Sequence, residues 1–425
     1  MQTSASAISN DVIVIGAGIV GLSIALQLKL DGYKVTVVDQ SPAMQGCSAG
    51  NAGYLSQANI FPPATSDLLL KLPKLLLDKE GPLVIKPSYL GKMMPWSLRA
   101  VSALRSAPYA INVNALSSLI TRSQESLALL AAQANASHLL STEGGLIVYR
   151  TEEAFKAKQK SIPVWRDYGV EVETLTRQKT LEMEPALARD ITGAIHFTHS
   201  GRCSNPQGLG LLYLEQLKRS GARFVQDRVK NARQIGIDQW EITLSSSRLK
   251  SSKVVLCAGH ASDELLNGYG YRKALVSERG YHLMIPAPRV QLNRPVVFGE
   301  PYFAATPMVH GLRLAGTAEF CAADSPPDMK RSLMLRGLAE KYLPGLNSDD
   351  AQPWMGVRPA LPDGLPAIGK VEQGIGFYYA FGHGHNGLMT SAITARCVSA
   401  LIAEREPPVD LKPFDLKRFG HTFCD

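Results

Sequence analysis

Metal-binding patterns are missing from this sequence. Its six cysteines among 425 residues form no Cys-x-x-Cys pair, and none stands at zinc-site spacing from a histidine. We therefore expect no metal site. Scattered thiols of this kind are typical of reduced cysteines in a cytoplasmic protein, which is the location that we expect. The cysteines are Cys47, Cys203, Cys257, Cys321, Cys397 and Cys424.

Other signals are absent as well. Lysine and arginine number 45 against 37 acidic residues, a formal net charge of +8, but no basic run is interleaved with aromatic residues. Nucleic acid is therefore not an expected partner. The first ten residues lack the basic start and apolar core of a secretory signal. No repeat at solenoid spacing occurs, and the length allows two or three domains.

A glycine-rich turn between an apolar run and a helical pattern is the most informative feature that is present. Residues 12–15 lead into Gly16-x-Gly18-x-x-Gly21, and a second apolar run ends at Asp39. This strand–turn–helix–strand order, with an acid about 20 residues on, is typical of a dinucleotide-binding unit. Gly16 permits the tight turn, Gly18 lets a pyrophosphate approach, and Gly21 lets the helix pack closely on the strand.

The helix after this turn is expected to face the phosphates with its unpaired N–H groups, and Asp39 to accept hydrogen bonds from ribose hydroxyls. A membrane span over residues 12–28 is the alternative, but three glycines and the flanking charges favour a buried strand and helix. The expected contacts of the ADP moiety are Gly16, Ala17, Gly18, Ile19, Val20, Gly21, Asp39 and Gln40.

A second glycine-rich turn, GHGHNGLMTS at 382–391, stands between an apolar strand pattern and a helix pattern. Its backbone N–H groups suit the pyrimidine edge of a flavin, which gains negative charge on reduction. A simple helix cap is the alternative, and metal ligation by two histidines without a nearby carboxylate is not expected. The expected flavin contacts are Gly382, His383, Gly384, His385, Asn386, Gly387, Leu388 and Met389.

The segment GVRPALPDGLPAIG, residues 356–369, holds an arginine among prolines. The stiff backbone presents the planar guanidinium of Arg358 as a fork that matches a carboxylate. A structural ion pair, with Asp363 as the candidate partner, is an equal alternative on the residues alone.

Three weaker signals extend the cofactor site. VVLCAGHAS, residues 254–262, is a strand pattern ending in Ala-Gly, and SAGNAG, residues 48–53, is able to reach a pyrophosphate and a flavin ring. Val229 ends a strand pattern and offers its backbone to adenine, although an ordinary sheet residue is an equal alternative. The expected contacts are Ser48, Asn51, Ala52, Gly53, Val229, Ala258 and Gly259.

The order of patterns predicts an α/β chain, α+β overall, with a discontinuous FAD-binding Rossmann-like domain and a mixed antiparallel-sheet substrate domain. We expect the FAD-binding domain at 1–61, 191–270 and 353–425, and the substrate domain at 107–190 and 271–352. Helices are expected over 110–138, 152–168, 176–185, 205–220 and 327–343, and from Gly387 onwards. Strands are expected over 144–150, 191–198 and 222–229, and alternating strands over 271–320.

Residues 62–106 form an apolar but basic insertion, rich in leucine and lysine and broken by prolines. One interpretation is a segment packed over the substrate cavity as a lid. The other is an amphipathic patch that lies on anionic lipid, which would bring the protein to the inner face of the cytoplasmic membrane.

These motifs resemble those of the D-amino-acid oxidase/glycine oxidase superfamily of FAD enzymes, and most of all those of bacterial D-amino-acid dehydrogenases. GAGIVG, SAGNAG, VVLCAG, ERGYHL, LRLAGTAE and the two C-terminal motifs follow the family order over nearly the whole chain. The resemblance implies that Arg358 binds the substrate carboxylate close to the flavin ring, and that Tyr281 and Tyr302 lie in segments lining the substrate pocket. Ala304 stands where glycine oxidases carry a pocket tyrosine, and Met308 where the family often has arginine.

The resemblance further implies oxidative deamination of a D-amino acid to a 2-oxo acid and ammonia, by hydride transfer to flavin N5. FAD is expected to be non-covalent, because no histidine precedes His138 and PALPD contains no cysteine. The basic insertion favours a quinone-type electron acceptor. Three alternatives stay open: a glycine/sarcosine-type oxidase using oxygen, a D-proline or D-hydroxyproline dehydrogenase, and a non-catalytic flavoprotein subunit.

Overall fold

The computed structural model describes residues 11–65 and 81–420. The strands, in chain order, are β1 Asp11–Ile15, β2 Lys34–Asp39, β3 Tyr54–Leu55, β4 Leu83–Ile85, β5 Leu140–Ser141, β6 Gly145–Tyr149, β7 Val172–Thr176, β8 Gly193–Phe197, β9 Gly201–Cys203, β10 Arg223–Gln226, β11 Val229–Gly236, β12 Gln239–Leu244, β13 Arg248–Ser251, β14 Lys253–Leu256, β15 Val276–Ile285, β16 Val296–Phe298, β17 Phe303–Met308, β18 Gly311–Phe320, β19 Gln352–Ala360, β20 Ala367–Lys370 and β21 Phe377–Phe381.

The α-helices are α1 Ile19–Leu30, α2 Leu90–Ala103, α3 Ser106–Gln133, α4 Glu152–Gln159, α5 Ile162–Asp167, α6 Arg177–Met183, α7 Pro206–Arg219, α8 Ser262–Leu266, α9 Lys330–Tyr342 and α10 Gly387–Ile402. Within the described ranges, none of them combines the length and apolar character that crossing a bilayer requires.

The first sheet is built around the glycine-rich turn. Its strand order is β10-β2-β1-β14-β21-β20, with parallel pairing from β10 to β21 and antiparallel pairing between β21 and β20. The helices α1 and α10 pack together against it, and both contribute to one buried apolar core. Strands from both ends of the chain therefore share one sheet, which confirms a discontinuous Rossmann-like domain.

The second sheet has nine strands, in the order β19-β15-β18-β17-β16-β6-β8-β7, with β4 beside β18. Pairing is antiparallel except for β16 with β6 and β18 with β4. The alternating strands predicted over 271–320 are present as β15 to β18. Two three-stranded sheets, β11-β12-β13 and β3-β9-β5, complete the architecture.

Two strands lie in a different sheet from the one that the predicted boundaries imply. The boundaries at 191 and 353 put β8 and β19 with the FAD-binding domain, but β8 pairs with β6 and β7, and β19 pairs with β15. Both are therefore strands of the second sheet. A short apolar run predicts a strand but carries no information about which neighbour it pairs with.

Several predicted elements differ in detail. The helix expected over 152–168 is two helices, because Pro163 stands in the first turn of α5, where its missing N–H needs no partner. The long helix expected over 110–138 runs over Ser106–Gln133. The strand expected over 222–229 breaks between β10 and β11. Of the insertion 62–106, residues 66–80 lie outside the described residues.

Candidate active site

The glycine-rich turn packs against the next strand of the first sheet. Gly16 has φ +114°, and a Cβ on it would lie 2.3 Å from the carbonyl oxygen of Cys257, so only glycine fits there. A Cβ on Gly21 would lie 2.0 Å from the carbonyl oxygen of Gly16. The two glycines thus allow the close helix–strand approach that the spacing predicts. The same contact brings Ala258, directly after Cys257, next to the turn.

The N-terminus of α1 is open to an anion. Its N-cap, Gly18, provides no side-chain cap, and no acidic residue stands in the first turn. One N–H, that of Ile19, donates to the hydroxyl of Ser48 at 3.1 Å, which joins the SAGNAG segment to this helix end. Such an end carries partial positive charge and unpaired N–H groups, which suits a phosphate.

Asp39 ends β2 beside this turn. Its carboxylate accepts from the backbone N–H of Ala17 at 2.7 Å and from that of Ser41 at 2.9 Å. Its backbone carbonyl accepts from the N–H of Asp227 at 2.8 Å, which brings the start of β11, Val229, towards the same edge of the sheet. Gln40 follows directly. The carboxylate, the helix end and the start of β11 are therefore neighbours.

The second sheet holds the SAGNAG segment through its carbonyl groups. Arg313 donates Nη1 to the carbonyl of Ala49 at 3.3 Å and to that of Asn51 at 2.5 Å. The Nδ1 atom of His282 lies 3.0 Å from the carbonyl oxygen of Gly50. Within the segment, the N–H of Gly53 donates to the Asn51 side chain at 2.8 Å. Three consecutive carbonyl oxygens are thus bound by side chains of β15 and β18.

His282 is neutral in this setting. Burial, with the charges of Arg313 and Arg358 nearby, lowers its pKa to about 3, although its contact with Gly50 opposes this. Because a carbonyl oxygen only accepts, the Nδ1 atom of the neutral ring is the one that carries the proton. The ring stacks on Trp354 with centroids 4.7 Å apart.

Arg358 has an ion-pair partner that the sequence analysis did not identify. Its Nη1 lies 2.8 Å from Oε1 of Glu278, which also lies 3.1 Å from Nε2 of His385. A Cβ on Gly280 would come within 2.1 Å of Nη2 of Arg358, so the guanidinium lies flat against the strand. Asp363, the partner considered before, binds Arg418 instead, at 2.6 Å.

The alternation along β15 explains this grouping. Glu278, Gly280 and His282 pair across the strands with Arg358, Gly356 and Trp354 of β19, so these six share one face. Arg313 pairs with Met284 on the same face. Sequence reasoning missed Glu278, His282, Arg313 and Trp354 because their signal, alternation within ERGYHL, is informative only when the register is known.

The C-terminal turn divides its residues between interior and surface. His383 is buried, its Nε2 lies 3.1 Å from the hydroxyl of Thr394, and burial lowers its pKa to about 3. Gly384–Asn386 is a single 3₁₀ turn, and α10 begins at Gly387 as predicted, without a side-chain cap. Asn386 accepts from Asn59 at 2.8 Å. The start of α10 is therefore available to a polar ligand.

The two tyrosines carried over from the family resemblance are not grouped with Arg358. Tyr281 points to the opposite face of β15, where its hydroxyl donates to Glu319 at 2.5 Å and accepts from the N–H of Asp328 at 3.2 Å. Tyr302 lies in the turn before β17 with φ +57° and is 46% exposed. Met308 packs against Gly53 of the SAGNAG segment.

The architecture and this site define a flavin-dependent oxidoreductase fold, and the comparisons agree. A family model described as FAD dependent oxidoreductase matches residues 11–401, so the chain belongs to that family. A D-amino-acid oxidase of Bradyrhizobium diazoefficiens is 30% identical over 96% of this chain and 98% of its own. A D-amino acid dehydrogenase of Rhizobium johnstonii is also 30% identical, over 96% of this chain and 100% of its own.

Solved structures show the same fold. A glycine oxidase from Geobacillus kaustophilus superposes with a TM-score of 0.73, 22% identity, and coverage of 96% of this chain and 98% of its own. An L-proline dehydrogenase from P. horikoshii superposes with a TM-score of 0.72 at 19% identity, and the match covers 96% of this chain and 97% of its own.

The described residues fit FAD. The uncapped N-terminus of α1, the carboxylate of Asp39 and the uncapped start of α10 follow the ends of β1, β2 and β21, three strands of one sheet. A Cβ on either Gly16 or Gly21 would clash with a backbone oxygen, so the turn keeps the tight form of a dinucleotide-binding unit only with glycine at both positions. This protein is therefore an FAD-dependent oxidoreductase.

Proposed function

We propose that this protein oxidatively deaminates α-amino acids, with D-amino acids as the preferred class, to 2-oxo acids and ammonia. The observation that carries the proposal is the position of Arg358, a semi-buried guanidinium on the sheet face that holds the SAGNAG segment. The names of the two bacterial relatives support the D configuration.

Arg358 suits a carboxylate in both position and preorganisation. Its side chain is 20% exposed, which leaves part of the group within reach of a ligand. The contacts with Glu278 and Gly280 keep the guanidinium plane in one orientation, so Arg358 loses little rotamer freedom when a ligand binds. Each charge-assisted hydrogen bond to a carboxylate contributes about 1.5–3 kcal/mol.

FAD, when bound, supplies the two-electron oxidant for the Cα–N bond, and binding is proposed to be non-covalent. We assign its ADP moiety to the turn at 16–21, to Asp39 and Gln40, and to the backbone of Val229. We assign its ring system to Ser48, Asn51, Ala52 and Gly53, to Ala258 and Gly259, and to the turn at 382–389.

The chain's own contribution is binding and orientation. Arg358 anchors the carboxylate, which directs the Cα–H bond of one enantiomer towards the face of the site formed by the SAGNAG segment. The overall balance is one amino acid, one oxidised cofactor and one water giving a 2-oxo acid, ammonia and reduced cofactor. Orientation of this kind contributes much of the rate enhancement in such reactions.

A dye-reduction assay on the holoprotein with a panel of D- and L-amino acids tests this function. We expect reduction with D-amino acids, and a loss of at least about a hundredfold in kcat/KM for Arg358→Met, the cost of losing a charged pair. Arg336→Met removes an exposed arginine of α9 and is expected to retain activity within about twofold. Unchanged kinetics in Arg358→Met would reject the anchoring role, and no bleaching by any amino acid would reject the function.

We also propose that the electrons pass to a quinone at an anionic membrane surface. The helix α2 presents Leu90, Met94, Leu98 and Val101 at one face, and each is between 49% and 66% exposed. This spacing follows the period of an α-helix, so the four form one apolar stripe. An apolar stripe of this kind is typical of helices that lie in the membrane interface.

Charge supports an anionic lipid as the occupant. Lys92 and Arg105 are exposed on and just after α2, and the whole chain carries a net charge of +8. The opposite face of α2 packs on the strand that bears Arg358: the indole N–H of Trp96 donates to the carbonyl of Ala360 at 3.1 Å. Buried Met93 lies beside Val276 and Ala360, two residues from Glu278 and Arg358 respectively. The apolar stripe is therefore close to the site.

Co-sedimentation with vesicles tests this surface. We expect binding to phosphatidylglycerol vesicles, little binding to phosphatidylcholine vesicles, and loss of binding in Leu98→Glu. Leu211→Glu is the matched control, because Leu211 is an exposed leucine on α7, away from α2. Equal sedimentation of both variants would reject the assignment.

Oxygen is the second candidate acceptor, and the relative named D-amino-acid oxidase favours it. Parallel assays of quinone reduction and oxygen consumption by the same preparation separate the two. Fast quinone reduction with slow peroxide release supports the dehydrogenase, and the reverse supports an oxidase.

A further inference from the structure

Glu278 is a buried carboxylate immediately beside the proposed carboxylate anchor, and the proposed function does not use it. Its side chain is 8% exposed. One oxygen, Oε1, takes both protein contacts, with Arg358 at 2.8 Å and with His385 at 3.1 Å. Among the described residues, no hydrogen bond is made to the other oxygen, Oε2. This oxygen is not fully enclosed by the protein.

This carboxylate is ionised at neutral pH. Burial alone raises the pKa of Glu278, but His385 and Arg358 outweigh it and lower the pKa to about 2. The charge of Arg358 is therefore already compensated before any ligand arrives. Replacing either partner of such a buried pair by a neutral residue is destabilising, because the remaining charge is left without compensation.

The pair changes which ligands Arg358 accepts. A simple carboxylate that approaches Arg358 brings a second negative charge next to Glu278, and this repulsion opposes binding at low dielectric. An α-amino acid brings its amino group on the atom adjacent to its carboxylate, so it places a hydrogen-bond donor where the repulsion would otherwise act. The site thus offers one cationic and one anionic group to a zwitterion.

We propose that Oε2 of Glu278 forms the subsite for the substrate's amino group, and that the Glu278–Arg358 pair selects α-amino acids against 2-hydroxy acids and other monocarboxylates. This inference rests on the proposed function, since it assigns the second half of the same substrate. It adds no proton-transfer step: Glu278 accepts hydrogen bonds from the amine and stays ionised.

Two measurements on the holoprotein test the subsite: the Kd of D-alanine from the concentration dependence of the anaerobic flavin-reduction rate, and the Kd of propanoate from titration of the flavin absorbance. In Glu278→Gln we expect the Kd of D-alanine to rise about tenfold or more, as for loss of a charged hydrogen bond. In the same variant we expect the Kd of propanoate to fall, because the negative neighbour of Arg358 is gone. The two ligands therefore respond in opposite directions.

A purely structural role for Glu278 predicts a different pattern. Damage to the site would weaken both ligands alike, and this outcome, or an unchanged Kd for D-alanine, would overturn the proposal. Glu184→Gln is the matched control, since Glu184 is another buried glutamate paired with an arginine, Arg294 at 2.9 Å. It is expected to leave both Kd values unchanged.

Unmodified protein supplies a second test should Glu278→Gln fail to fold or to retain FAD. D-Lactate, which matches D-alanine except at the amino group, is expected to bind at least about tenfold more weakly than D-alanine. Equal affinities would overturn the proposal. If no amino acid perturbs or bleaches the flavin, the proposed function itself fails, which is a distinct result from equal binding of D-alanine and D-lactate.

Discussion

The indole ring of Trp354 occupies the space in which a side chain on residue 50 would lie. A Cβ added to Gly50 would come within 2.1 to 2.4 Å of three ring atoms. The ring is itself stacked on His282, which contacts the carbonyl of Gly50. The SAGNAG segment and the second sheet are therefore in close contact at this residue.

Gly50→Ala is expected to displace the SAGNAG segment and to lower the retention of FAD, because the indole is also stacked on His282 and packed against Gly356. The matched control is Gly46→Ala in the same connection, where nothing lies within 4 Å of the added Cβ. FAD content and Tm of the two purified variants provide the measurement. Equal FAD content would show that the contact with Trp354 is easily relaxed.

Arg313→Met removes the guanidinium whose Nη1 donates to two carbonyl oxygens of the same segment. Burial lowers the pKa of Arg313 to about 10, so its charge is costly to keep and the variant is not expected to unfold. We expect the Kd of FAD to rise about tenfold, roughly the contribution of one charged hydrogen bond. Arg313→Lys should recover only part of this loss, since the lysine side chain ends one atom short of the position of Nη1. FAD titration of apoprotein by fluorescence quenching measures both values.

Tyr281→Phe tests whether Tyr281 stabilises the fold, as its contacts indicate, or lines the substrate pocket, as the family resemblance implies. The hydroxyl bonds Glu319 and the N–H of Asp328 on the face away from Arg358. Its loss should lower the free energy of unfolding by about 1–3 kcal/mol, the usual cost of leaving a buried partner unsatisfied. The KM for amino acids should change by less than about twofold. A large rise in KM with unchanged stability would favour contact with the substrate.

Acid sensitivity follows from two buried histidines, His282 and His383, whose pKa values are both lowered to about 3. Between pH 3 and their ordinary pKa of about 6.5, only the unfolded chain binds these protons, so folding is weakened as the pH falls through this window. Their full contribution to stability is present above about pH 6.5. Each histidine is expected to lower the free energy of unfolding by roughly 2 kcal/mol when the pH falls from 7 to 5.

Urea unfolding of His383→Gln at both pH values checks this expectation. The variant should be less stable at pH 7 than the unmodified protein, since the contact with Thr394 is altered. Its further loss at pH 5 should be smaller by about 2 kcal/mol. His138→Gln, at a histidine of the short helix after α3, is expected to leave the pH difference unchanged. The same loss of stability between pH 7 and pH 5 in the unmodified protein and both variants would contradict the role given to His383.

Local patterns predicted the parts of this fold that depend on neighbours in the chain. The turn at Gly16, the helix α1 and the start of α10 at Gly387 all follow from spacing within one segment. Pairing between distant strands left no such signal. Glu278 and Arg358 are 80 residues apart in the chain and meet only because β15 and β19 are in register.

A single irregularity illustrates the same limit. The pairing of β15 with β18 shifts register between Tyr281 and His282, although pairing with β19 runs through without a break. Whether Tyr281 faces the site depends on the alternation of β15 relative to a sheet that the sequence does not describe. The same applies to Asp363, whose partner, Arg418, approaches from the C-terminal segment.

The position of β21 inside the first sheet, between β14 and β20, has a consequence for biosynthesis. This strand pairs with β14 and supports α10, yet it comes from residues 377–381, long after β1. A ribosome must therefore release most of the chain before the nucleotide-binding sheet is able to close, and contacts this distant in the chain form slowly. Apolar strand edges stay uncovered during translation, so nascent chains of this protein should depend on chaperones until the last strand arrives.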